Sequence, residues 1–170
     1  MPVLDEIKSK AVTVRNAIDG TRSAVLAAMQ EAQDKADQVA ALGLEGVAHT
    51  VMAAHSSLES AASALGGAHT AAENAVNTLG QITNPARISE TVEQLGTASS
   101  QFDQATSGVE AASASAHEAY NNGQQAEINS VTAVTGAVFD ELSTARQSIQ
   151  DAKAACEAYR GQIEAVAAGN

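Results

Sequence analysis

Four histidines, one cysteine and two tyrosines are the side chains of this 170-residue chain best suited to acid–base, nucleophilic or metal chemistry. A di-metal carboxylate site in a helical bundle uses Glu-x-x-His pairs, which set both ligands on one inward face. No such pair occurs; Glu45 and His49 are four apart and miss that spacing. There is no Gly-rich phosphate loop, no G-x-S-x-G, no C-x-x-C and no H-E-x-x-H. Cys156 falls in an apolar stripe beside Ala152, the place of a small core residue rather than a nucleophile. A lone cysteine also makes no internal disulfide. Asp140-Glu141 is an acidic pair with no second cluster and reads as surface, while Tyr120 and Tyr159 fit core positions. His49, His55, His69 and His117 lie off the apolar stripes, which predicts solvated rings. His49, His55 and His117 share one half of the expected bundle with many acids, the grouping from which a metal or pH-sensing site would be built. The expectation is no catalytic residue, no cofactor, no metal and no enzyme.

The elements that carry these residues follow from apolar spacing, the main sequence signal of secondary structure. One 3-4 tract runs from Leu4 through Ile7, Ala11, Val14 and Ile18 to Lys35, Val39 and Leu42. A second runs from Leu44 and Val47 through Leu58, Leu65 and Ala72 to Ile82. A third runs from Ile88 and Val92 through Ser99, Phe102, Thr106 and Ser113 to Tyr120. The fourth runs from Ile128 and Val131 through Leu142 and Ile149 to Ile163 and Val166. Alanine, 38 residues of the chain, supplies much of this stripe, while aromatics make up 2%. Alanine is the best helix former and a poor strand former, so the composition suits closely packed helices.

Breaks separate the tracts. LGLEG, residues 42–46, brackets one with two glycines; YNNGQQ, residues 120–125, supplies Asn and Gly for a helix end. Between them TNPAR holds Pro85, which suits a first helical turn, with Asn84 as its N-cap. Short connections favour antiparallel neighbours. The predicted fold is therefore all-α: an up-down-up-down four-helix bundle with heptad, alanine-rich packing. Residues 1–83 form a first hairpin and 84–170 a second, together one bundle. The alternative is one very long hairpin turning only at Pro85. At a spacing of twelve heptads Glu6 meets Glu90, Asp19 meets Asp103, Val25 meets Val109, Val47 meets Val131 and Leu58 meets Leu142. A duplicated hairpin would produce these matches, and shared periodicity would produce some of them.

Large residues on one seam of the second tract and alanine on the other predict a close neighbouring helix. Gly20 and Gly66 would face each other halfway up the first hairpin, so Gly20, Gly66 and Gly67 are the candidates for a tight helix crossing. A tolerated weak point and a hinge are the other readings of these glycines. In the third tract a seam of Val92, Ser99, Thr106, Ser113 and Tyr120 offers little burial, which predicts that this helix is the loosest.

Net charge is −11, from 20 acids and 9 bases. Such a surface repels phosphate, so neither nucleic acid nor an acidic membrane is an expected partner. Folded as above, the end bearing the first and third turns is the acidic one. Glu31, Asp34, Asp37, Glu45, Glu118 and Glu127 are its candidate docking residues, with Glu59, Glu110, Asp140 and Glu141 behind them. They would meet a basic protein or a second copy; the other reading is a surface kept soluble by its charge. No 18-residue apolar run exists and the N-terminus lacks the basic-then-apolar layout of a signal peptide. A cytoplasmic protein without a membrane span is expected; export by a leaderless route would leave none of these marks.

Leu44-Glu45-Gly46, in the turn of the first hairpin, resembles the Trp-x-Gly turn of the WXG100 (ESAT-6-like) family of leaderless secreted helical hairpins. The resemblance covers residues 1–83, with a second copy in tandem implied. Leu44 stands where the family has Trp. Of its Tyr-x-x-x-Asp/Glu export signal nothing is present, for Tyr120 precedes Gln124 and Tyr159 precedes Ile163. The leading expectation is a non-catalytic bundle acting through protein–protein association, as scaffold, adaptor or assembly subunit. The resemblance implies an exported partner or effector component. A third class is an amphipathic coat on lipid or granules, which alanine-rich stripes with few aromatics serve less well.

Overall fold

The structure, a computed structural model, describes residues 2–83 and 87–169. It contains four helices: α1 (Pro2–Ala41), α2 (Glu45–Gly80), α3 (Ile88–Gln125) and α4 (Asn129–Ala167). At 40, 36, 38 and 39 residues, each is about 54–60 Å long at the helical rise. Each packs on two others in the cyclic order α1–α2–α3–α4, and diagonal pairs do not approach among the described residues. This is the expected antiparallel four-helix bundle; the alternative of one very long two-helix hairpin is not formed, because the helices break after Ala41 and after Gln125. The expected cap Asn84 and first-turn Pro85 lie outside the described residues.

The α1–α2 and α3–α4 turns lie at one end of the bundle, the upper end, and have the same chemistry. At the first, the Leu44 N–H reaches Val39 O at 3.0 Å and the Gly43 N–H reaches Ala40 O at 2.9 Å. At the second, Ile128 bonds Gly123 O at 3.1 Å and Glu127 bonds Gln124 O at 3.0 Å. These are paired 6→1 and 5→2 bonds, which satisfy the last carbonyls of a helix through one left-handed residue. That residue is Gly43, with φ 79°, and then Glu127, with φ 56°. Glycine takes that conformation freely; a glutamate does so at a cost. The two turns superimpose at the twelve-heptad spacing, as do the buried stripes. Val25 and Val109, Ala28 and Ala112, Ala32 and Ala116, Leu58 and Leu142, and Leu65 and Ile149 are all buried.

The stripes of α2 and α4 lie inward as expected through Leu79 and Cys156. Three stretches differ. In α1 the buried residue after Ala32 is Ala36, while Lys35 flanks it, 3.9 Å from Glu31. Leu42 and Leu44, expected in the stripe, are 75% and 50% exposed, because the left-handed turn swings them off the core. At the lower end of α4, Tyr159 and Ile163 are half-buried and Val166 is 71% exposed.

The largest correction concerns α3. Its Leu95, Phe102, Val109 and Ala116 are buried as expected, but the second seam is Ala98, Ala105, Ala112, Ala119 and Ala126. The hydroxyl seam was one residue out of phase. Ser99 is buried at its edge, while Thr106, Ser113 and Tyr120 are half-buried beside α4. The premise for a loose third helix therefore falls: it carries the same alanine seam as α2.

Candidate interaction surface

The chemistry-competent side chains do not converge. Cys156 is fully buried and its thiol is pushed up to about 12, by burial first and by the Glu157 carboxylate second. It is a protonated core residue. His69 departs from the expectation of a solvated ring. Its Nδ1 is buried 2.9 Å from Asp19 Oδ1, off the line of an N–H donor and without a directed hydrogen bond, and Nε2 lies 3.9 Å from Glu73. His49 is exposed and His55 half-buried. Among the described residues no three His, Cys, Asp or Glu side chains group closely enough to hold a metal ion. None of the described helices is long and apolar enough to cross a membrane.

The expected tight crossing is not at Gly20, Gly66 or Gly67. Nothing lies within 4 Å of where a Cβ would stand at Gly66 or Gly67, and at Gly20 only Glu141 Oε2 does, at 3.5 Å. These glycines face outward. The tight crossing is at Gly108, between α2 and α3: a Cβ there would meet Ala68 Cβ at 2.8 Å and Ala64 O at 2.9 Å. The two alanine seams bring these helices together, and a glycine is required where they are nearest.

The acidic residues are spread along the upper end rather than clustered. Glu31 is tied to Lys35, Asp34 accepts from Gln30 Nε2 at 2.8 Å, and Asp37 accepts from Gln33 Nε2 at 3.1 Å. Glu45 opens α2, Glu127 occupies the second turn and Glu118 stands exposed on α3. In the upper half, roughly residues 23–63 and 104–147, ten acids face two bases, Lys35 and Arg146. Two helix C-termini and two N-termini meet at this end, so their dipoles largely cancel and the side chains set the field. The arrangement offers a diffuse negative surface, not a chelating cage.

A second feature was not foreseen. Along the outer edge where α3 meets α4, residues face each other in rungs. Gly96 faces Arg160, Ser99 donates to Glu157 at 3.0 Å and Lys153 lies 2.6 Å from Asp103. Farther up, Arg146 lies 3.4 Å from Glu110, and the His117 and Phe139 rings meet at a 42° tilt with centroids 4.4 Å apart. Between those last two rungs stand only Ser113 and Ser143. There the helices enclose a cleft of about 470 Å³, lined also by Val109 and Leu142. The signal for it lay in the third tract, whose hydroxyl residues belong to this edge. No family model, no curated protein and no solved structure matches the chain.

Proposed function

We propose that this chain is a non-catalytic bundle that works by protein–protein association, as a scaffold, adaptor or assembly subunit. Its acidic turn end is the docking end, and the partner presents a basic surface or is a second copy carrying its basic residues there. The observation that carries this reading is the uneven charge: ten of the acids and only two of the bases lie in the upper half. Fields from such an end act over about a Debye length, ~8 Å at physiological ionic strength, so association weakens as salt rises. The test is affinity purification from the native host with mass spectrometry, beside a variant carrying Asp34→Lys, Asp37→Lys, Glu45→Lys and Glu127→Lys. A salt-labile partner lost on charge reversal is expected. An identical partner set retained by the reversed variant would sink the reading.

A second reading, an exported WXG100-like component, is favoured by one observation: Leu44-Glu45-Gly46 spans the N-cap and first residues of α2, at the hairpin turn. Its test is the appearance of the intact chain in culture supernatant without lysis.

A further inference from the structure

We propose that the α3–α4 cleft receives an unbranched apolar side chain, of methionine size, from a basic amphipathic helix of a partner protein. This rests on the association reading above and assigns that association a specific anchor.

Three observations carry it. The cleft is built by one small–small rung. Its walls are closed above by the tilted His117–Phe139 ring pair and below by the Glu110–Arg146 pair, and Val109 and Leu142 lie buried beneath it. Ser113 and Ser143, both in the lining, supply little side-chain volume between those two rungs.

The first hairpin shows what such a space holds. At the twelve-heptad spacing Ser113 corresponds to Met29, which is half-buried and packed against the core. Val109 and Leu142 correspond to Val25 and Leu58, both buried. At this level the first hairpin thus carries Met29 and Glu59 where the second carries Ser113 and Ser143. A thioether chain fills irregular gaps well because it is unbranched and polarizable.

The rim sets the charge of the visitor. Glu110 lines the opening, exposed Glu118 and Asp140 follow the lining residues His117 and Phe139 in sequence, and the base in the lining, Arg146, is already turned to Glu110. A helix lying in the trough between two antiparallel helices would place lysines or arginines one turn either side of its anchor, against these acids.

The probe is an amidated, acetylated Ala/Lys helical peptide of about five turns with one central Met, titrated at low ionic strength by fluorescence anisotropy. Ser113→Met should leave the fold intact, by circular dichroism and melting, since the first hairpin accommodates Met29 at the corresponding position. It should weaken binding at least about tenfold, the scale of one aliphatic side chain losing its burial. Ser143→Met is the second variant, with the same expectation. Replacing the peptide Met by Ala should have a similar effect on the natural protein and little effect on Ser113→Met. No binding, or binding unchanged by every one of these replacements, overturns the proposal; the latter is charge adhesion alone. If the peptide ignores the cleft while the charge-reversed end still loses a host partner, the anchor is wrong and the association reading stands. If both experiments fail, both are wrong.

Discussion

Helix α3 has two unlike faces. Toward α2 it presents alanines and Gly108, and the backbones come so near that a single added methyl would lie 2.8 Å from Ala68 Cβ. Toward α4 it presents charged and hydroxyl side chains, meets Lys153, Arg146 and Phe139 across rungs, and leaves the cleft open at Ser113. The first face gains from dispersion between closely packed atoms and has one geometry. The second is held by solvated ion pairs, each of which contributes little. A single helix can therefore be fixed rigidly by one neighbour and keep its other edge free for recognition.

Gly108→Leu should break the close face most severely, costing about 3 kcal/mol or more, because overpacking against backbone at Ala64 and Ala68 has no side-chain escape. Chemical denaturation measures it. Gly108→Ala should also destabilise, although alanine in an open helix normally gains about 1 kcal/mol over glycine. Gly66→Ala supplies the contrast. With nothing near its Cβ position, it should stabilise by about 0.5–1 kcal/mol. The same sign at both sites would erase the distinction between the close crossing at Gly108 and the open helix surface at Gly66.

On the α4 side the expected effects are smaller. Lys153→Met should cost under about 1 kcal/mol, less at high salt. The Lys153 ammonium is held above its ordinary value of 10.5, chiefly by its hydrogen bond to Asp103, with burial opposing and the Asp103 and Glu157 charges adding. A folded value raised above the unfolded one means the contribution is whole below 10.5 and fades as pH rises through the folded value. The wild-type advantage over the Met variant should thus vanish only in strong alkali. A difference already lost near neutrality would remove this pair from the account.

Much of the architecture was legible, for particular reasons. Leu58, Leu65 and Leu79 alternate with alanines at an unambiguous heptad spacing, and Gly43 marks a left-handed turn that few residues tolerate. The phase of α3 was misread because its second seam is wholly alanine, and alanines also sit at 111 and 114 on the outside. Apolarity alone cannot tell such faces apart. The twelve-heptad offset held the answer: Ile7, Val14, Thr21 and Ala28 fall on Thr91, Ala98, Ala105 and Ala112, all of them buried. The glycine crossing was misplaced for a related reason. Gly66 and Gly67 attract notice as a pair, whereas Gly108 is distinguished only by what stands across from it. The cleft was illegible because it depends on a register between two helices, and a serine's smallness matters only when the residue opposite is small too.

The unbroken helices also set a distance. With four of them of nearly equal length and no interior break, the molecule is a stiff strut. The Gly43 and Glu127 turns stand about 55 Å from the first residues of α1 and the last of α4. A pair of fluorophores at Ser9 and Glu45 would read that gauge as constant, with or without cargo, so the bundle can serve as a spacer whose length does not change when it is loaded.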